Sequence, residues 1–187
     1  MSDGSCRIIG GNWRGRKIKF DDAEGLRPTT DRIRETVFNW LQPYLNQSIC
    51  LDLFAGSGVL GIEALSRGAA EVVLVEKNKT TASNIKKNLS QLKTSDAVIY
   101  NDDALGWLKA SVKNRRFNLV FLDPPFHADL LKKSMKALNS SSILADDAII
   151  YVEHNANDKL IAPENWSCIK DKCAGQVSYK LFELRNP

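Results

Sequence analysis

From residue 49 to residue 153 the chain alternates short apolar runs with amphipathic stretches, and that alternation leaves few folds open to it. Residues 49–54, 71–76, 97–100, 117–123 and 148–153 each hold a short, mainly apolar run of strand length, the first with one acid, Asp52, near its end. Between them, residues 59–67, 78–92, 104–112 and 127–138 carry helical spacing, with Gly68 as a stop signal after the first. Strands that are apolar on both faces, each followed by a helix, must be covered on both sides. This predicts an α/β fold, a doubly wound and mostly parallel sheet.

The flanks depart from this rhythm. Residues 6–20 read as two short strands around a Gly-rich turn, followed by an acidic loop at 21–25. Thr30 is placed as an N-cap before Arg32, Ile33, Val37, Phe38 and Leu41, a helix expected to end before Pro43. At the other end, 166–170 and 176–184 are strand-like around Ala174-Gly175 and predict a closing antiparallel hairpin. At 187 residues and 43% hydrophobic the chain suits one core. The expectation is a single domain over 1–187, with an extension at 1–45 and a catalytic core at 46–187.

The loop after the first core strand, Phe54-Ala-Gly-Ser-Gly-Val-Leu-Gly61, spells G-x-G-x-x-G through Gly56, Gly58 and Gly61. Such glycines allow a tight turn and close backbone approach to a ligand at a helix N-terminus. Glu76 ends the next strand, 20 residues after Gly56, where a carboxylate can accept hydrogen bonds from both ribose hydroxyls of an adenosine. A dinucleotide would bring phosphates close to Asp52, an unfavourable pairing in a dry crevice. S-adenosylmethionine brings a sulfonium and an ammonium instead, and Asp52 suits those charges, directly or through water. After the third strand, Asn101-Asp102-Asp103-Ala104 offers an acid for the adenine amino group, although Asp103 serves equally as the N-cap of the following helix.

Asp123-Pro-Pro-Phe126 follows the fourth strand, at the edge where open α/β sheets place ligands. Two prolines stiffen the backbone there. Asp123 and the Pro124 carbonyl can accept the two hydrogens of an exocyclic base amine; Pro125 completes the corner and Phe126 can stack on the base. Such an amine is a poor nucleophile whose lone pair is delocalised into the ring, and positioning is the main help it needs. No Ser-His-Asp or Cys-His arrangement suggests another chemistry.

Charge is mixed, with Lys+Arg 26 against Asp+Glu 22 and a net +4, so its distribution matters more than its sum. Arg7, Arg14, Arg16, Lys17 and Lys19 crowd the first segment with Trp13 among them and no acid between, and Arg27, Arg32 and Arg34 follow. This pattern fits a phosphate-contacting arm. A base paired inside a duplex could not reach Asp123, so the expected substrate is a flipped or loop nucleotide.

Cys6, Cys50, Cys168 and Cys173 lack C-x-x-C spacing and, with His127 and His154, make no zinc site; reduced, mostly structural thiols are expected. No run approaches the roughly 20 apolar residues of a membrane span, and the polar start lacks a secretory signal. A cytosolic protein without metal is expected.

The chain resembles the RsmD family of bacterial methyltransferases, which modify guanine N2 of one 16S ribosomal RNA nucleotide. The likeness covers nearly the whole chain. It runs through Arg7-Ile-Ile-Gly-Gly-x-Trp-Arg-Gly-Arg16, residues 26–40 with the distinctive Arg-Pro-Thr-Thr-Asp, Leu51-Asp-Leu-Phe-Ala-Gly-Ser-Gly58, Asp123-Pro-Pro-Phe126 and Ala174-Gly-Gln176.

The resemblance implies a Rossmann-like class I S-adenosylmethionine-dependent methyltransferase with a seven-stranded sheet whose last strand is antiparallel. It further implies action in the cytoplasm on the small ribosomal subunit or its precursor, and a segment of Arg27, Thr29 and Thr30 closing over the cofactor; a monomer is expected. The expected cofactor set is thus Asp52, Phe54, Gly56, Ser57, Gly58, Glu76, Lys77, Asp103 and Ala104 with those three. Two other readings stand beside it: a DNA adenine-N6 or cytosine-N4 methyltransferase using the same Asp-Pro-Pro-Phe logic, and a non-catalytic ribosome-assembly RNA-binding protein. An NAD-dependent oxidoreductase is disfavoured by Asp52.

Overall fold

A computed structural model describes residues 3–21, 30–110, 115–125 and 128–185. Strands β1 (Asp3–Arg7) and β2 (Lys17–Asp21) pair antiparallel as a separate two-stranded sheet. After α1 (Asp31–Leu45) the core runs β3 (Ile49–Asp52), α2 (Val59–Ser66), β4 (Glu71–Val75), α3 (Lys79–Leu92), β5 (Ala97–Tyr100), α4 (Ala104–Ala110), β6 (Phe117–Leu122), α5 (Ala128–Asn139) and β7 (Leu144–Asn155). It closes with β8 (Trp166–Ala174) and β9 (Val177–Leu184).

The seven core strands lie in the order β5-β4-β3-β6-β7-β9-β8. Pairings from β5 to β7 are parallel, whereas β9 runs antiparallel to both β7 and β8. The chain winds outward from β3 to β5 and then returns to lay β6 against the other side of β3. The winding direction therefore reverses between β3 and β6, opening a crevice outside their carboxyl ends, where α/β sheets take ligands.

Alternation along each strand divides the core into two layers. Cys50, Leu119, Phe121, Ile149 and Tyr151 face the side covered by α1, α2 and α3. Leu51, Val120, Leu122, Ile150 and Val152 face α4 and α5 through Trp107, Leu131 and Leu138. Both faces are buried, which is why the strands read as mainly apolar runs rather than as alternating ones.

Three elements differ from the sequence expectation. Helix α1 continues through Pro43 to Leu45 instead of ending before it. A helical proline forfeits a backbone hydrogen bond and costs about 3 kcal/mol. Full burial of Leu41 and Leu45 on either side offsets a cost of that order. Strand β7 begins at Leu144 rather than 148, because Phe117 pairs with Leu144 and Leu119 with Ile149. The extra residues bulge outward, and exposed Asp146 and Asp147 hide the strand from a hydrophobicity reading. Strand β8 runs on to Ala174; its exposed, charged outer half, including Lys170, Asp171 and Lys172, suits a sheet edge.

All four cysteines are free. Burial pushes the thiols of Cys6 up to about 11 and of Cys50 up to about 12, as expected of structural residues. Cys168 and Cys173, by contrast, are exposed on β8. Among the described residues no helix is long and apolar enough to cross a membrane, and no group of three His, Cys, Asp or Glu could hold a metal ion.

Candidate active site

The glycine loop leaves β3 at the winding reversal. Gly56 (φ 51°) and Gly58 (φ 77°) adopt left-handed conformations, and Gly58 caps α2. Gly61 has a different task. A Cβ there would come within 2.9 Å of Val72 Cγ1 and 3.0 Å of Leu74 Cδ2, so its absence lets α2 lie close on β4. Ser57 is buried, and Phe54, partly buried, packs on the α4–α5 side of the core.

Two acids hold this loop. Asp52, only 1% exposed, accepts the Gly61 N–H through Oδ2 at 3.1 Å. It thereby ties the first turn of α2 to β3. Burial, with a smaller push from Glu76, raises its carboxyl to about 7 against hydrogen bonds from Gly61 and Phe54. Glu76 accepts the Gly56 N–H at 2.8 Å through Oε2 and the Asn78 N–H at 2.7 Å through Oε1. Its carboxyl also lies above its ordinary value, chiefly through burial.

At the end of β5, Asn101 Nδ2 donates to the carbonyls of Glu76 and Lys77, both at 2.9 Å. Sequence reasoning did not single out Asn101; its polar side chain directly after an apolar strand was the available signal. Lys77 itself is exposed. Asp103 Oδ2 accepts the Gly106 N–H at 3.0 Å, so Asp103 caps α4, while Asp102 Oδ1 accepts the Asp103 N–H at 2.8 Å. Ala104 is buried at the helix start.

The second loop of the crevice leaves β6. Asp52 pairs with Phe121, and the Leu53 N–H donates to the Phe121 carbonyl at 3.2 Å, so the two loops depart from adjacent strands at one level. Asp123 is half-buried, Pro124 buried and Pro125 exposed; Phe126 lies outside the described residues. On β7, beside this loop, Tyr151 donates its hydroxyl to Glu153 Oε2 at 2.7 Å. Burial first, then the charges of Glu153 and Asp123, hold the Tyr151 phenol well above its ordinary value, so it stays protonated. This buried pair beside Asp123 was missed in the sequence. Its two members sit two residues apart and so share a strand face, the one sign that could have revealed them.

The N-terminal cations fall into two groups. Arg7, Arg14, Arg16, Lys17 and Lys19 are exposed. Arg7 pairs with Lys17 on one face of the β1–β2 hairpin, which Lys19 shares, while Cys6 and Ile18 point into the core from the other. Trp13 is half-buried against the core, with its N–H donated to Ser66 Oγ at 3.0 Å.

Arg34 corrects the expectation that groups it with the phosphate-contacting cations. It is fully buried and donates through Nη2 to the Arg7 carbonyl at 3.0 Å and to Asp31 Oδ1 at 2.6 Å. Thr30 caps α1, its Oγ1 accepting the Ile33 N–H at 3.4 Å. Arg27 and Thr29 lie outside the described residues.

The residues around the glycine loop fit S-adenosylmethionine. Residues 51–63 hold no cation to meet a phosphate, and two carboxylates stand at the loop.

Comparison with known proteins agrees. The family described as Conserved hypothetical protein 95 matches residues 6–183. The chain is 50% identical to ribosomal RNA small subunit methyltransferase D of Haemophilus influenzae, over 96% of this chain and 94% of that one. It is 48% identical to the protein of the same name from Escherichia coli strain K12, over 96% and 90%. A solved structure of the E. coli methyltransferase yhhF superposes with a TM-score of 0.90 at 45% identity, covering 97% of this chain and 99% of that one. A methylase structure from H. influenzae gives 0.84 at 47%, covering 98% and 100%. With its glycine loop and Asp-Pro-Pro corner at the winding reversal of this sheet, the chain belongs to the RsmD family (Conserved hypothetical protein 95) of S-adenosylmethionine-dependent methyltransferases.

Proposed function

We propose that the protein transfers a methyl group from S-adenosyl-L-methionine to the exocyclic N2 of one guanine in 16S ribosomal RNA. The observation that carries this reading is the departure of the Asp123-Pro124-Pro125 corner and the glycine loop from adjacent strands, joined by the Leu53–Phe121 backbone hydrogen bond. A base held at the first loop then meets a cofactor held at the second. The names of the two relatives, each matched over nearly its full length, support ribosomal RNA of the small subunit as substrate.

In this reading Glu76 receives the ribose hydroxyls and Asp52 lends negative charge beneath the cationic end of the cofactor. Gly56, Ser57 and Gly58 bring backbone close to it, and Phe54, Lys77, Asp103 and Ala104 border it. Arg27, Thr29 and Thr30 are assigned to closure over the cofactor. When bound, the cofactor supplies a methyl carbon on a sulfonium sulfur; nitrogen's lone pair forms the new bond as the carbon–sulfur bond breaks, its electron pair staying on sulfur as a thioether.

The chain's part is positioning. Asp123 and the Pro124 carbonyl accept the two amine hydrogens and turn the lone pair out of conjugation, while Phe126 stacks on the base. The nitrogen becomes acidic only as the methyl arrives, and Asp123 is placed to pass its proton to water. The hairpin cations and Trp13 are assigned to RNA.

The test is mass spectrometry of small-subunit rRNA from cells lacking the protein. One N2-methylguanosine should disappear, returning with the wild-type gene and not with Asp123→Ala. Purified enzyme should label small subunits and not duplex DNA; labelling of DNA alone would overturn the reading. Full rescue by Asp123→Ala would favour a non-catalytic assembly role.

A further inference from the structure

We propose that the outer face of α3 is a second RNA-backbone contact surface, continuous with the hairpin, on which a duplex flank of the substrate lies. The proposal rests on the ribosomal RNA reading above and extends it to residues with no part in the chemistry.

Helix α3 and its C-cap together hold four basic positions and no acid. Lys79, Lys86 and Lys87 lie within it and Lys93 caps it. At helical spacing these four fall on one exposed stripe with Ser83 and Ser90, opposite the buried Ile85, Asn88 and Leu92. Every side chain of the stripe can donate a hydrogen bond and none is a carboxylate. No aromatic ring is present to stack on a base. Backbone phosphates, rather than bases, are the matching ligand.

Several cations elsewhere on the surface are paired with carboxylates. Lys133 pairs with Asp129, Arg116 with Asp146, Arg115 with Glu71 and Lys180 with Asp171. Among the described residues no carboxylate pairs with any of the four α3 lysines. Together with the five exposed hairpin cations they exceed the whole chain's net charge of +4, so the rest of the molecule is net acidic. The chain's net positive charge is therefore carried by the hairpin and α3.

The hairpin is also fastened to this helix, beside the stripe. Asn88 brackets the Lys19 peptide, accepting its N–H at 3.2 Å and donating to its carbonyl at 2.8 Å. Arg16 Nη2 donates to the Gln91 carbonyl at 2.6 Å. The helix starts three residues beyond Glu76, at the crevice, and runs about 20 Å away from it. A nucleotide held at the crevice would bring its flanking backbone across this ridge. Because the stripe lacks apolar side chains to insert, an anionic membrane surface is a poorer match than RNA.

The experiment compares full-length wild type with Lys86→Gln/Lys87→Gln/Lys93→Gln, using small ribosomal subunits from a strain lacking the enzyme across a salt series. The variant should bind subunits about tenfold more weakly near 0.15 M salt, and its log–log salt slope should be shallower by roughly 2. KM for subunits should rise, while saturated kcat and cofactor affinity stay at wild-type values. The Lys→Arg triple variant should behave as wild type.

Equal affinity and slope in wild type and the Gln variant would overturn the α3 surface while leaving the rRNA assignment standing. Failure of wild type to bind or methylate subunits would overturn both. Loss of binding to phosphatidylserine vesicles, with subunit binding unchanged, would assign the stripe to a membrane instead.

Discussion

Arg34 and Glu63, both fully buried, face each other across the α1–α2 contact with Nη1 3.6 Å from Oε2. The same carboxylate accepts the Ile9 N–H at 2.9 Å and Arg67 Nε at 2.7 Å, and the Arg67 guanidinium lies 5.1 Å over the Phe38 ring. Arg34 in turn holds the Arg7 carbonyl. One buried acid thus joins two helices to the hairpin that carries the exposed cations. Removing one partner of such a cluster strands the other in a dry site.

Glu63→Gln should therefore destabilise the protein by about 3 kcal/mol or more, read as a lower urea midpoint. The hairpin should be the first segment to loosen, with amide exchange at Ile9 rising ahead of exchange in β3. Unchanged exchange at Ile9 would mean that the carboxylate does not hold the hairpin.

Asp52 has a carboxyl raised from 3.8 to about 7 by burial. The folded state therefore binds a proton that the unfolded chain has released, and ionisation between those values weakens folding. The contribution of Asp52 to stability should fall as pH rises from about 4 to about 7, at up to ~1.4 kcal/mol per pH unit. Urea unfolding of wild type minus Asp52→Asn isolates this slope. As the folded carboxyl ionises around pH 7, its charge should favour a cationic ligand, so cofactor affinity should increase between pH 6 and pH 8 in wild type and stay flat in the variant. Calorimetric titration at pH 6 and pH 8 measures the difference.

Asn101 holds the strand end that carries Glu76 through two hydrogen bonds from one nitrogen. Asn101→Ala should raise KM for S-adenosylmethionine by roughly three- to tenfold, the worth of one to two modest hydrogen bonds. It touches no reacting atom, so kcat should remain at the wild-type value. A drop in kcat with constant KM would contradict a positioning role.

Gly61→Ala places a methyl against Val72 and Leu74 at 2.9–3.0 Å. Helix α2 must move off β4, at a cost of about 1–3 kcal/mol from overpacking. The urea midpoint should fall with the m-value unchanged. The same shift stretches the Asp52–Gly61 bond, so cofactor affinity should weaken in parallel.

Core strands, glycine loop and Asp-Pro-Pro corner were legible because their signals are local: mainly apolar runs, glycine spacing, paired prolines. Helix ends were less so. Pro43 reads as a stop, yet α1 continues because Leu45 finds a buried place that only the neighbouring layer provides. Asp103 was readable as a cap or as an adenine contact, and it accepts the Gly106 N–H as a cap does.

What the chain alone determined is the alternation that forces a doubly wound sheet, and with it the edge at which the two motifs emerge. What tertiary structure decided is the meaning of individual charges. Arg34 and the hairpin cations are the same kind of residue in one basic stretch, yet Arg34 meets Glu63 in the interior while the others face water. Periodicity is set by bonded neighbours, whereas the environment of a charge is set by groups many residues away, which only the folded chain brings into contact.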